Sequence, residues 1–320
     1  MENIKNKLNE LNIAYHVNDY MRNYTTFNLG GKVNLIVDIN NLVQLDKVIK
    51  LCDEYNCKYF CIGCGSNLLV SDNGYDGIVL RMINNEYSDI LFKLSDGKYV
   101  SATKENLNLI TEEKVFVKIP AGFLLKNVIY YLAELGLSGM EFAYGIPGSI
   151  GGALYMNAGA YDGEMKDIVT TVYTNKGEFS NKDMEFSYRH SKAMVEKFII
   201  VSGEFLLEKK DKKLIFEKMF DLMEKRVSKQ PLEYPSAGST FKRPEGAFAS
   251  KLIDDCGLRG FRIGGVGVSE KHTGFIVNYG NGTTEDVIKL INYVQKVVKD
   301  ETGFILEPEV QMLGEIDDIF

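Results

Sequence analysis

Hydrophobic and polar positions along this chain follow two periods, one of about two residues and one of three to four. The apolar run Val33–Ile39 predicts a strand. Leu42, Leu45, Val48, Ile49 and Cys52 then recur at helical spacing and predict a helix over Asn41–Tyr55. Strands are expected at Lys58–Ile62 and Gly77–Met82, with hairpins or a meander over Ile90–Leu94, Val100–Thr103 and Val115–Ile119. Leu124, Leu125, Val128, Ile129, Leu132 and Leu135 form one face of a helix over Leu124–Leu135, and Gly136 is placed to end it. Strands near Ile168–Thr174 and Phe198–Leu207 precede a polar run, Glu208–Lys213, that reads as a domain boundary. Beyond it, helices are predicted over Leu214–Val227, stopped by Pro231, and within Pro244–Gly257. A last helix runs from about Glu285 to Thr302, opened by Thr283 with Asp286 three residues on. Strands are expected at Thr273–Asn278 and Phe304–Leu313. The pattern is that of an α+β protein with a larger N-terminal and a smaller C-terminal part.

One segment fits neither period. Ala143–Ala160, AYGIPGSIGGALYMNAGA, holds Gly145, Gly148, Gly151, Gly152 and Gly159, with Pro147 in its middle and no charge from Phe142 to Tyr161. Each glycine costs roughly 0.5–1 kcal/mol relative to alanine inside a helix or strand, so neither is expected here. Glycine permits close approach of bare backbone, either to another piece of chain or to a large flat ligand. The window has the length of a membrane span, but its glycines, proline and asparagine argue against that reading.

Composition narrows the class. The chain has 320 residues, and 37 basic against 44 acidic side chains leave a net charge of −7. That length suits two domains or one large one. The acidic balance argues against a nucleic-acid partner, while leaving room for local basic pockets. The opening MENIKNKLNELN has no apolar run and no small-residue cleavage site, so a soluble cytoplasmic protein without a membrane partner is expected. Cys52, Cys57, Cys61, Cys64 and Cys256 make an odd count, which suggests reduced thiols. Cys52 falls on a predicted helix, Cys61 on a strand and Cys64 in a glycine loop, so no metal site is expected.

Several short motifs bear on chemistry. Gly63-Cys64-Gly65-Ser66-Asn67-Leu68 begins like a dinucleotide fingerprint, but Leu68 stands where the third glycine belongs. Apolar Leu68–Val70 followed by SDNG does not continue as a helix, so a Rossmann site is not expected. A glycine turn that offers N–H groups to a phosphate, or a plain tight turn, remains. TTFNLGG at 25–31 reads on its own as a turn. In Tyr188-Arg189-His190-Ser191 the arginine is either a surface residue or a carboxylate or phosphate clamp. His16, His190 and His272 are scattered without metal or triad spacing. PSAGSTFKRP at 235–244 is a helix-capping surface loop, or a loop that offers a serine to a substrate and cations to its phosphates. Arg226 and Lys229 just upstream add positive charge. In LEPEV at 306–310, period-two alternation puts Glu307 and Glu309 on one strand face and does not choose between them.

No motif is strong singly, but their order is. TTFNLGG, GCGSNLL, AGFLLKNV, GIPGSIGGALYMNAGAYDGE, YRHS, AGSTFKRP and LEPEV together resemble the UDP-N-acetylenolpyruvoylglucosamine reductases, flavoproteins of peptidoglycan precursor synthesis, from about Tyr24 to Gly314. The resemblance implies an FAD-binding domain of the vanillyl-alcohol-oxidase (PCMH) type over 1–208, in subdomains of about 1–82 and 83–208. A smaller α+β substrate-binding domain would span 214–320. FAD would rest on glycine loops: on Gly63, Cys64, Gly65, Ser66, Asn67 and Leu68, on Gly122, and on Gly145, Ile146, Pro147, Gly148, Ser149, Gly152, Ala153, Asn157, Ala158 and Gly159.

Arg189, Ser239 and Glu309 match the family's catalytic positions and Lys229 its substrate-diphosphate lysine. Tyr188 would line the same pocket, with Arg243 beside the nucleotide. The short Arg189-to-Ser239 interval resembles the compact subgroup that lacks an extra substrate-covering loop. Asp162 stands where glycine is expected, and Arg243 where some members carry asparagine. The implied reaction uses NADPH and FAD to reduce UDP-N-acetylglucosamine enolpyruvate to UDP-N-acetylmuramate. Arg189 and Glu309 would stabilise the enol, and Ser239 would protonate it. No obligatory protein partner is implied. One rival is another flavoprotein of the same fold acting on sugars or hydroxy acids, against which AGSTFKRP and LEPEV stand. Another is a non-catalytic sugar-nucleotide or flavin binding module, against which the trio stands.

Overall fold

The computed structural model describes residues 1–84 and 86–316. The first body opens with two elements that the apolar pattern does not announce, α1 (Glu2–Glu10) and β1 (Tyr15–Tyr20). α1 buries only Ile4 and Leu8, and β1 is an edge strand with mostly exposed side chains. β2 (Lys32–Ile39), α2 (Leu42–Glu54), β3 (Tyr59–Ile62), β4 (Leu68–Val70) and β5 (Tyr75–Met82) follow. The sheet order is β1-β2-β5-β3, with β2, β5 and β3 parallel. Leu35, Val37 and Ile39 pack on one face of β2 with α2, and Val33 and Ile36 on the other. That two-sided burial explains why β2 reads as a continuous apolar run. Burial pushes the thiols of Cys52 and Cys61 up to about 12, so both are inert. Among the described residues no cluster of cysteine, histidine and carboxylate side chains is arranged to hold a metal ion.

The second body contains β6 (Leu91–Lys93), β7 (Tyr99–Ser101), α3 (Lys104–Leu107), β8 (Lys114–Pro120), α4 (Leu125–Glu134), β9 (Leu137–Ser138) and α5 (Ile150–Tyr155). It continues with β10 (Gly159–Ala160), β11 (Gly163–Glu164), β12 (Val169–Thr174), β13 (Gly177–Ser180), α6 (Lys192–Glu196), β14 (Ile200–Lys209) and α7 (Lys212–Lys229). Its antiparallel sheet runs β13-β12-β14-β8-β6-β7, with β9 beside β14. Phe92, Val117, Val172 and Phe205 are fully buried in it. Ile215 and Met219 of α7 belong to this same core. The helix expected to open the C-terminal domain at 214 therefore packs on the second body.

The third body is β15 (Ser236–Ser239), α8 (Ala249–Asp255), β16 (Arg262–Ile263), β17 (Val266–Val268), β18 (Phe275–Asn278), α9 (Thr284–Thr302) and β19 (Gln311–Leu313). The sheet β15-β18-β17-β16 is covered by Val287, Leu290, Ile291, Val294 and Val298 of α9. Thr283 and Asp286 form the expected capping box, and Gly303 ends the helix at φ +77°. Residues 317–320 of the expected C-terminal domain lie outside the described residues.

Two expectations need correction. Phe304–Leu313 is not one strand: only Gln311–Leu313 forms a ladder, parallel to β4 of the first body. Pro308 makes a single bridge to Phe241, and its missing N–H prevents a continuous strand. Glu307 and Glu309 consequently part company. Glu307 is 69% exposed and binds Lys242, whereas Glu309 is 14% exposed. The glycine-rich run also contains a helix after all, α5, short and capped by Ser149.

The first and third bodies are tied together at α9. Asp72 accepts from the backbone N–H groups of Thr284 and Glu285, each at 3.0 Å, and Thr284 Oγ1 donates to the Val70 carbonyl at 2.6 Å. A carboxylate here meets the positive end of the helix. Asp72→Ala should cost about 1 kcal/mol, the usual worth of an N-terminal cap, read as a lower thermal midpoint. An unchanged midpoint would show that the Thr283–Asp286 box alone suffices.

Candidate active site

Close chain packing and ordinary contact both occur within the glycine-rich run. A Cβ at Gly151 would lie 2.8 Å from Ala121 Cβ, at Gly145 2.6 Å from Arg226 Cδ, and at Gly159 2.7 Å from the Gly163 carbonyl oxygen. Those three glycines are required by neighbouring protein. At Gly148 and Gly152 the nearest atoms would be 3.5 and 3.4 Å away, ordinary contact distances, so neighbouring protein does not forbid a Cβ there.

A cavity of about 570 Å³ opens beside this run. Of the residues expected at FAD, Gly63, Cys64, Gly122 and Ser149 line it, together with Thr25 and Thr26 of TTFNLGG. Gly159 lines a second cavity, and the others line neither. Burial pushes the Cys64 thiol up to about 11, so this residue contributes shape and not charge. Arg81, Asn84, Tyr87, Phe123 and Asn127 also line the first cavity and were missed by sequence reasoning. Arg81 is held by Asp38 through bonds of 2.8 and 2.9 Å and lies over the Tyr24 ring. Its one sequence signal is a lone cation closing the apolar run of β5. Asn84 Oδ1 accepts from Gly122 N at 3.0 Å and fixes that glycine at the wall.

The second cavity, about 770 Å³, is bounded by the β10–β11 hairpin, by Tyr188 and Arg189, and by Arg243–Gly246. The hairpin turn places Tyr161 and Asp162 at φ 51° and 65°. Such a turn accepts aspartate where glycine is usual, which accommodates the departure at Asp162. Arg189 is itself left-handed, φ 53°, at the tip of a turn closed by reciprocal backbone bonds between Ser187 and His190. His190 serves that turn through its backbone.

Arg189 Nε donates to Glu309 Oε1 at 2.8 Å, and Nη2 to the Gly159 carbonyl at 3.2 Å. The two charged side chains are 21% and 14% exposed. Glu309 is fixed from both backbone sides: its N–H donates to the Thr240 carbonyl at 2.8 Å, and its carbonyl accepts from Asn67 Nδ2 at 3.0 Å. Thr240 follows Ser239, so this bond brings the serine segment to the ion pair. Gly238, at φ +78°, bends β15 so that the Ser239 side chain is exposed while Ala237 and Thr240 are buried. Tyr188 Oη accepts from Arg243 N at 3.3 Å, and the Arg243 guanidinium lies 3.9 Å from the Phe248 ring centre. Lys229, at the exposed end of α7, makes no bond to these residues among those described.

Burial raises the Glu309 pKa above the usual carboxylate value, against the opposing charge and hydrogen bond of Arg189 and the charge of Lys242. For an FAD-sized group the first cavity offers bare backbone at Gly63 and Gly122, with the Arg81 guanidinium in the same wall. Arg226 Nε, close to Gly145, is a buried donor without a hydrogen-bond partner among the described residues.

A model of the FAD binding domain matches residues 33–179. Together with glycine loops in place of a Rossmann fingerprint, it defines the class: an FAD-dependent oxidoreductase with a PCMH-type flavin domain followed by a smaller α+β domain. The C-terminal domain of UDP-N-acetylenolpyruvoylglucosamine reductase matches residues 230–313. The reductase of Lachnoclostridium phytofermentans is 43% identical over 303 residues, covering 93% of this chain and 92% of that one. That of Caldicellulosiruptor saccharolyticus is 41% identical over 317 residues, covering 97% and 95%. The solved UDP-N-acetylenolpyruvylglucosamine reductase of Thermus caldophilus superposes with a TM-score of 0.73 at 28% identity, over 94% of this chain and 99% of that one. The chain belongs to the UDP-N-acetylenolpyruvoylglucosamine reductase family, as the order of its motifs implied. No described helix is long and apolar enough to cross a membrane.

A carboxyl whose folded pKa lies above its unfolded value adds stability below the unfolded pKa and loses it as pH rises through the folded one. The stability of the protein relative to its Glu309→Gln variant should therefore fall as pH rises above 4.5. Thermal midpoints of both proteins across that range would show it. A difference that is flat or grows with pH would contradict the raised value.

Proposed function

We propose that this protein reduces the enolpyruvyl group of UDP-N-acetylglucosamine enolpyruvate to the lactyl ether of UDP-N-acetylmuramate in the cytoplasm, with NADPH as reductant. The single observation that carries the reading is the largely buried Arg189–Glu309 pair, its arginine in the wall of the second cavity and its glutamate joined through Thr240 to the exposed Ser239. FAD, when bound, supplies the hydride relay between NADPH and the vinyl group. The glycine loops at 63–68 and 145–153 and at Gly122 offer it backbone.

Reduction of the vinyl group adds one hydride to its terminal carbon and one proton to the carbon bearing the carboxylate. Arg189 binds that carboxylate and stabilises the negative charge that develops on it, help worth a few kcal/mol per donor in sites of this kind. Glu309, with a pKa raised by burial, keeps a proton over more of the pH range and donates a hydrogen bond to the developing enol. The Ser239 hydroxyl delivers the proton to carbon. Tyr188 and Arg243 form the cavity wall where the nucleotide part lies, and Lys229 meets the diphosphate from the end of α7. The reading needs no nucleic acid, membrane or obligatory protein partner. It also places the boundary of the substrate domain after α7, where the C-terminal family match starts at residue 230.

Ser239→Ala should stay yellow and still be bleached by NADPH. Its reoxidation by the enolpyruvyl substrate should slow by roughly 10²–10⁴-fold, the usual worth of a general acid. Stopped-flow absorbance of the flavin separates the two half-reactions, and normal reoxidation would remove Ser239 from this role.

A further inference from the structure

Asn157 lies in the NAGA end of the glycine-rich run, where a cofactor contact is the expected role. We propose instead that Asn157 is the positioning residue for Arg189, acting through the Ser187–His190 turn and through Glu164. The proposal rests on the reductase reading for what Arg189 does, and on geometry for the rest.

Asn157 follows the last turn of α5 at φ 43°. Its N–H bonds to the Leu154 carbonyl at 3.2 Å and that of Ala158 to the Ala153 carbonyl at 2.8 Å, a Schellman ending. Glycine is the unstrained residue for such a position, so the turn alone does not ask for asparagine. The side chain is fully buried, and its polar atoms are engaged within the protein. Nδ2 donates to the Ser187 carbonyl at 2.9 Å and to Glu164 Oε2 at 2.7 Å, and Oδ1 accepts from Lys166 N at 3.0 Å. Both amide protons are spent, and neither remains for a cofactor.

The partners surround Arg189. Ser187 is one foot of the turn that carries Arg189 in its left-handed conformation, which an arginine adopts only when its surroundings impose it. Just beyond the other foot, His190, Ser191 Oγ donates to the Tyr155 carbonyl at 2.6 Å, so both sides of the turn hang from the end of α5. Glu164 pairs across the β10–β11 hairpin with Gly159, whose carbonyl receives Arg189 Nη2. Burial pushes the Glu164 carboxyl up, but bonds from Lys166 and Asn157 and the charges of Lys166 and Arg189 hold it below its ordinary value. One amide thus connects the backbone under Arg189 to the hairpin beside its guanidinium.

Three variants test this in the FAD-loaded protein. Asn157→Gly keeps the turn and removes the amide. Asn157→Asp keeps the shape but sets a carboxylate against the Ser187 carbonyl and Glu164. Asn157→Asp with Glu164→Gln returns a donor to that contact. Asn157→Gly should retain its flavin, with reoxidation by the enolpyruvyl substrate slowed about 10²-fold, the effect of misplacing a catalytic group by about 1 Å. Reoxidation should slow at least about tenfold more than reduction by NADPH does. Asn157→Asp should be slower still, and the double variant faster than Asn157→Asp. Loss of flavin, equal slowing of both half-reactions, or no slowing in Asn157→Gly would overturn the proposal, and that variant decides even if Asn157→Asp does not fold. Failure of the unsubstituted protein to be reoxidised would overturn the reductase reading itself, a different result.

Discussion

The ion pair between Arg189 and Glu309 joins residues 120 positions apart, on the second and third bodies, and holds the arginine in the wall of the second cavity. Taking both charges out of water is costly, and buried pairs of this sort often add little net stability. Their use here is geometric. Each partner is held from its backbone: Glu309 between Thr240 and Asn67, Arg189 on a turn hung from Tyr155 and Asn157. A pair held this way keeps the guanidinium and the carboxyl in one place, and Ser239 follows because it precedes Thr240. The raised pKa of Glu309 comes from the same burial.

The first body reaches this pair through a shared core, in which Phe27, Leu29 and Leu69 pack with Ala237, Phe241 and Val310. Thr26 Oγ1 donates to the Ser236 carbonyl at 2.7 Å, and Ser236 N donates back to the Thr26 carbonyl at 3.1 Å. TTFNLGG, which alone reads as a turn, is therefore what fastens the strand leading to Ser239. Asn67 binds Glu309, and Asp72 caps α9. The same stretches of chain contribute Thr25, Thr26, Gly63 and Cys64 to the first cavity. The loops that line the first cavity thus also hold the strand before Ser239 and the backbone of Glu309.

The periodic part of this architecture was legible in the sequence. β2, α2, α4, α9 and its capping box follow from apolar spacing and end signals, because burial on one or two faces writes itself into the sequence directly. α1 and β1 left no such signal, since each buries little. α7 looked like the start of a new domain because a polar run precedes it, yet Ile215 and Met219 commit it to the second core. The site was less legible. Alternation could not separate Glu307 from Glu309, because the segment is not a strand and Pro308 turns the two side chains apart. The trio was reached through the order of motifs, and what places it in space is a set of contacts between residues far apart in sequence. Arg81, Asn84 and the unmet donor of Arg226 are visible only once the chain is folded.

The glycine-rich run shows how one segment serves two demands. Its glycines divide between those at which neighbouring protein forbids a side chain, such as Gly145 and Gly151, and those at which a Cβ would make only ordinary contacts, Gly148 and Gly152. The polar side chains between and after them face inward. Ser149 caps α5, and Asn157 binds the Arg189 turn. Ser149 also lines the first cavity, so one short segment meets that cavity at its start and the Arg189 turn at its end. On the proposed reading, the loop beside the flavin also sets the position of the arginine that binds the vinyl carboxylate. A change that shifts α5 moves both at once, whereas a change confined to the Asn157 amide moves only the second. That asymmetry is what the proposal for Asn157 turns on.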